Sequence, residues 1–188
     1  MTTEEGARGA DRPHTLAIDI GGTGLKASVL DASGKMTSAR VRTPTTYPLP
    51  PKGNSSLLTK LNRLISKLPV ADRVSAGFPG MVRNGVVFSA PHFVTKGGPG
   101  TDVDPKLQAE WHRFDLAEAL QTMTGKATRV ANDADVQGLA VVTGVGLEVV
   151  VTLGTGFGTA LFLDGALMPH LEIAHQPFRK GETYNEQL

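Results

Sequence analysis

Two stretches of the chain share one plan: LAIDIGGTGLKASVLDASGKM from Leu16 and VVVTLGTGFGTALFLDGALM from Val149. Each runs as an apolar strand, a Gly-Thr-Gly type turn, a second strand, an Asp-Gly type turn and a third strand, so the repeat predicts a duplicated α/β fold. Two glycine turns at equivalent points of similar lobes imply a cleft between the lobes. The predicted organisation is a disordered tail over residues 1–14, a first lobe over 15–145 and the start of a second over 146–188. From Glu148 onward only 41 residues remain (188 minus 147), enough for a meander but not for covering helices. A mixed α/β sheet normally has both faces covered, so the expectation is a fragment or a second chain that supplies the cover. The ending NEQL resembles a helix cut short.

Local patterns fill in the first lobe. Thr15 to Asp19 reads as a buried strand, Leu25 to Asp31 as a second and Lys35 to Thr43 as a third, with Asp31-Ala32-Ser33-Gly34 as turn chemistry. Residues 44–53, with four prolines, read as a surface loop. Leu57, Leu58, Leu61, Leu64, Ile65 and Leu68 recur at helical spacing and predict an amphipathic helix over residues 55–68. Strands are expected over 73–77, 127–131 and 148–153, and helices over 114–123 and 134–142. Residues 90–108, APHFVTKGGPGTDVDPKLQ, have no hydrophobic period and read as a long active-site loop.

Charge and composition exclude several functions. With 19 Lys and Arg against 18 Asp and Glu, there is no basic field for nucleic acid or an anionic membrane, and no partner of either kind is expected. No window of about 18 apolar residues could span a bilayer. The polar N-terminus lacks the apolar stretch of a signal peptide. Zero Cys excludes disulfides and thiolate zinc sites, and a cytoplasmic location is the simplest expectation.

The chemistry concentrates in four places. Asp19 with Gly21, Gly22 and Thr23 offers backbone amides and a hydroxyl to a phosphate, and a carboxylate able to hold hydrated Mg²⁺. A tight hairpin with an Asp cap uses the same residues. Lys26 on the following strand either faces phosphate or is solvated. Gly154, Thr155 and Gly156 form the second turn of this kind, and the pairing suits phosphoryl transfer, which needs donors around a moving phosphate and few reactive side chains. Asn132-Asp133 lies between a strand and a helix, where ligands of α/β sheets gather; Asp133 could take a hydroxyl proton, and Asn132 could bind sugar hydroxyls. Asp133 as the N-cap of the next helix is the alternative. Glu172 and His175, three apart, could grip adjacent hydroxyls or form a surface pair. Zinc lacks a second His pair. His92 is a possible sugar contact.

These motifs resemble the ROK family of sugar kinases, and within it the polyphosphate glucokinase-like branch. DIGGTGLK at residues 19–26, GFPGMV at 77–82, NDAD at 132–135, GTGFGTALFLDG at 154–165 and LEIAH at 171–175 match in family order. The resemblance implies a duplicated ribonuclease-H-like fold of the actin and hexokinase type, with an incomplete second lobe. It implies transfer of a terminal phosphoryl group from ATP or polyphosphate, with Mg²⁺, to the 6-hydroxyl of glucose, with Asp133 as base. Pro79, Gly80, Asn132, Glu172, His175 and Glu182 would contact the sugar. Both glycine turns would hold the donor. The family's Cys-rich zinc motif is missing, so no zinc is expected; a homodimer is. The family continues past the equivalent of Leu188, and the loop over residues 90–111 is longer than usual. A sugar-binding regulator and an inactive fragment are the competing readings. No helix-turn-helix precedes Leu16.

Overall fold

A computed structural model describes residues 13–153, 156–171, 173–174 and 176–187. The expected tail therefore lies almost wholly outside the described residues.

The first sheet is built from β1 (Thr15–Ile20), β2 (Gly24–Leu30) and β3 (Val41–Pro44), then, after helix α1 (Leu57–Ile65), β4 (Arg73–Phe78). A small three-stranded sheet follows, made of β5 (Val82–Arg83), β6 (Val86–Val87) and, after helix α2 (Pro105–Trp111), β7 (Phe114–Asp115). Helix α3 (Leu116–Thr124) leads to β8 (Ala127–Asn132), which completes the five-stranded sheet in the order β3-β2-β1-β4-β8. β1 and β2 are antiparallel, whereas β4 runs parallel to β1 and β8 parallel to β4. Register puts Asp19 opposite Gly77, and Phe78 opposite Asn132. Three parallel strands thus release their chains at one edge, which is what brings the motifs together.

The alternating residues of β1 explain which face is buried. Leu16, Ile18 and Ile20 belong to one core with Leu57, Leu61 and Leu64 of α1 and Leu116 and Leu120 of α3. At about 25 cal/mol per Å² of apolar area, these side chains dominate the stability of the lobe. Ser56 caps α1 by accepting from the Thr59 N–H, and Asp115 caps α3 by accepting from Glu118. Gly125 at φ 68° ends α3 in a left-handed turn that suits glycine. Phe93 and Trp111, with ring centroids 5.4 Å apart, fix the long loop to the core, and the Trp111 indole donates to the Leu49 carbonyl.

Several predicted boundaries move. The third strand starts at Val41 rather than Lys35 because Ser38 and Thr37 side chains occupy the Val29 N–H and carbonyl. Within residues 35–40, Met36 makes an isolated bridge to Leu30. The predicted loop over 90–108 contains the start of α2, nucleated by the Asp104 cap and Pro105 in the first turn. α1 is shorter than residues 55–68. The helix expected over 134–142 is α4 (Asp133–Gly138), one residue earlier at its start and shorter at its end.

The second repeat forms β9 (Leu147–Leu153), β10 (Phe157–Leu163) and β11 (Ala166–Leu167), an antiparallel meander in the order β11-β10-β9. It reproduces the β3-β2-β1 half of the first sheet. Leu147, Val149, Val151 and Leu153 alternate on one face of β9 and are 49 to 70% exposed. The bare face expected from the residue count is thus present among the described residues. β12 (Pro177–Arg179), β13 (Glu182–Thr183) and α5 (Tyr184–Gln187) follow. α4 joins the sheets: a Cβ on Gly77 would lie 3.4 Å from Asp133, and one on Gly138 would lie 2.7 Å from Phe162 of β10.

Candidate active site

A cleft of about 300 Å³ opens where the strand ends meet the second sheet. Asp19, Gly21, Gly22, Thr23 and Lys26 line it together with Pro79, Gly80, Asn132, Asp133, Thr152 and Gly156. Ala174 of the LEIAH segment also lines it, so residues from all five motifs share one cavity. Gly154, Thr155, Glu172 and His175 lie outside the described residues. Glu182 is exposed on β13, contacts the Gln187 amide and does not line the cleft.

Asn132 is the most constrained residue of the site, at 4% exposure. Its Oδ1 accepts from Ala134 N at 2.8 Å and Asp135 N at 3.3 Å, so Asn132, and not Asp133, caps α4. Its Nδ2 donates to the Gly80 carbonyl at 3.0 Å. The side chain therefore ties the GFPG segment to the NDAD segment, leaving one N–H for a ligand rather than the several contacts expected. Gly80 must be glycine here, because a Cβ would fall 2.2 Å from the Ser89 carbonyl oxygen.

Asp133 becomes the first residue of α4. Its Oδ1 accepts from Ala134 N at 2.9 Å, and it is half-buried at the cleft. A carboxylate accepts a proton as the anion. Also at the cleft, the Lys26 ammonium contacts the Asp19 carboxylate at 2.9 Å, with both side chains about half exposed. Lys26 is therefore neither simply solvated nor simply aimed at a phosphate; it balances Asp19. Among the described residues no group of three or more His, Asp or Glu converges as a metal cluster. Magnesium commonly needs only one or two protein carboxylates beside substrate phosphates, which Asp19 fits.

Other residues at the cleft carry little sequence signal. His170 lines it with its Nδ1 3.2 Å from Asp135 Oδ1, both side chains being buried. Thr159 of β10 donates to the Leu171 carbonyl, so the LEIAH segment is anchored to β10 at its start. Asn185 Oδ1 accepts from Phe157 N at 2.7 Å, reaching the first residue of β10 from 28 residues away. Spacing could not reveal such contacts; His92, which also lines the cleft, was visible as a lone His in a loop.

No helix among the described residues is long and apolar enough to cross a membrane. Comparison with known proteins gives a consistent set of relatives. Residues 15–171 match the ROK family. A polyphosphate glucokinase from Mycobacterium tuberculosis is 28% identical over 180 residues, 92% of this chain and 62% of the relative. An N-acetylmannosamine kinase from Escherichia coli is 30% identical over 159 residues, 82% of this chain and 49% of the relative. The crystal structure of an inorganic polyphosphate/ATP-glucomannokinase from Arthrobacter sp. strain KM superposes with a TM-score of 0.73 at 30% identity, covering 94% of this chain and 68% of that one. A ROK glucokinase from Streptomyces griseus, at 21% identity and a TM-score of 0.62, shares the fold. The chain thus spans less than two thirds of the mycobacterial relative and has the duplicated actin and hexokinase-like architecture with three strands of the second sheet among the described residues. By sequence match and by fold, this chain belongs to the ROK family.

Proposed function

We propose that this chain carries the sugar-holding and phosphoryl-transferring part of a glucokinase, with lobes at residues 15–145 and 146–188. The observation that carries the reading is the meeting of Asp133, Asn132 and Gly80 with the Gly21–Thr23 turn in one cleft. Glucose would lie against Pro79, Gly80 and Asn132, with Glu172 and His175 completing its grip. Asp133 accepts the 6-hydroxyl proton as O6 bonds to the terminal phosphorus of ATP or polyphosphate, and the bond from that phosphorus to its bridging oxygen breaks. The amides of both glycine turns take charge from the transferring oxygens. Mg²⁺ bound with the donor would neutralise phosphate charge, with Asp19 reaching it through water. The names of the relatives support both donors and a hexose acceptor. A cytoplasmic location and a homodimer joined through the bare β9 face belong to the same reading.

A coupled assay for glucose 6-phosphate with either donor tests it. Asp133→Asn should lose roughly 10²–10⁴-fold in turnover while its Kd for glucose stays within about twofold, since the amide keeps a hydrogen-bonding group in place. Near wild-type turnover in that variant would remove Asp133 as the base. A second reading is a sugar-binding or regulatory ROK protein without turnover. Glucose binding with no product from either donor would select it.

A further inference from the structure

The backbone of the first glycine turn is held from behind by a segment that carries no motif. The Thr45 hydroxyl donates to the Gly21 carbonyl at 2.7 Å, and the Tyr47 hydroxyl donates to the Gly22 carbonyl at 2.7 Å. Thr45 N–H donates to the Thr23 carbonyl at 3.2 Å. A trans peptide unit points its N–H opposite to its carbonyl. Pinning the Gly21 and Gly22 carbonyls therefore fixes the direction of the Gly22 and Thr23 N–H groups, on the side away from Thr45 and Tyr47.

Tyr47 is itself braced by the long loop. Its ring lies 6.4 Å from that of Phe93, and a Cβ on Gly98, at φ 105°, would sit 2.9 Å from the Tyr47 ring. Only a glycine lets the loop approach that closely in that conformation. Half-burial raises the pKa of the Tyr47 hydroxyl, so it remains a protonated donor at neutral pH. The same loop places His92 against Gly22, 3.3 Å from where a Cβ would stand. One loop thus presses on the turn directly and on the residue that holds it.

We infer that Tyr47 is a positioning residue for the phosphoryl donor: braced by residues 90–104, its hydroxyl holds the Gly21–Thr23 turn so that the Gly22 and Thr23 amides face the terminal phosphate. This rests on the reading of that turn as the donor site. The loop's length then has a use, since its Gly97-Gly98 apex reaches the brace while Pro91 and His92 stay in the cleft.

Tyr47→Phe removes one oxygen and keeps the ring. Tripolyphosphate is titrated into the wild-type and variant chains while the Gly22 and Thr23 amide NMR signals are followed, and glucose is titrated separately. The expected result is tripolyphosphate binding weakened about fivefold or more, the effect of one hydrogen bond lost behind the site, with glucose binding unchanged within about twofold. Thr45→Val should shift the tripolyphosphate Kd in the same direction. An unchanged tripolyphosphate Kd in Tyr47→Phe overturns the inference alone, as does an equal loss of glucose binding, which would mark general loosening. If tripolyphosphate moves neither amide in the wild-type chain, the donor reading of the turn fails and the inference falls with it. Coupled product formation would then decide separately whether the chain phosphorylates glucose.

Discussion

Replacing Asn132 separates its two jobs. In Asn132→Ala, α4 loses its cap, which costs about 1 kcal/mol, and the buried Gly80 carbonyl loses its donor, which costs about 1–3 kcal/mol. The sum of about 2–4 kcal/mol should lower Tm by roughly 4–16 °C, at about 2–4 °C per kcal/mol for a chain of this size. Asn132→Asp keeps an oxygen for Ala134 N and Asp135 N and is an equally good cap. It cannot donate to Gly80, and it sets a carboxylate where the Nδ2, 3.0 Å from that carbonyl, now stands. Asn132→Asp should therefore recover the cap energy and none of the rest. Calorimetry at neutral pH, paired with glucose titration, reads both. Asn132→Ala melting within about a degree of wild type would refute the ledger, since even the cap alone predicts more. Wild-type stability in Asn132→Asp would show that the bond to Gly80 contributes nothing.

Gly138→Ala drives a methyl within 2.7 Å of the Phe162 ring and should cost about 1–3 kcal/mol, visible as a lower denaturation midpoint in urea. Lys26→Met breaks an ion pair at 2.9 Å whose members are about half exposed; stability should change by less than about 1 kcal/mol, while the KM for the donor rises. Glu148 has its pKa held below the ordinary glutamate value by the Thr143 N–H, which outweighs the opposing desolvation, with Gly144 N and the Thr143 hydroxyl adding to it. A depressed folded pKa means the contribution is present above the unfolded value and is lost as pH falls through the folded one. NMR of the Thr143 and Gly144 amides should thus show the turn loosening only below the ordinary glutamate range, and Glu148→Gln should flatten that titration.

The elements legible in the sequence are those whose pattern is local. Leu57, Leu61 and Leu64 announce α1 by spacing alone, and the apolar runs ending in glycine turns announce β1 and β9. α2 escapes because seven residues beginning at a proline show no period, and its cap, Asp104, looks like any loop aspartate. The repeat was readable as two strand-turn-strand units, and the bare face of β9 followed from counting residues. At the site, the residue types of the motifs were evident while their division of labour was not. Asn132 and Asp133 are adjacent and both able to cap a helix; only backbone geometry shows which of them does. Asn185 and Tyr47 reach Phe157 and Gly22 from 28 and 25 residues away, and such pairs have no signature along the chain.

The order of strands in the first sheet sets how the chain must fold. β1 finds its parallel neighbour 58 residues later, where Arg73 reaches Thr15, and the sheet waits for β8 before its last strand is in place. β9 and β10, by contrast, are neighbours in the chain and pair from Leu153 and Phe157. Local hairpins close in microseconds, while distant parallel pairings carry a larger loop-closure cost and form late. During synthesis the slow sheet has a head start, because all its strands emerge first. On dilution from denaturant that advantage vanishes: the valine-rich hairpin forms early with an open edge, free to meet others of its kind. Recovery after denaturation should therefore fall as chain concentration rises.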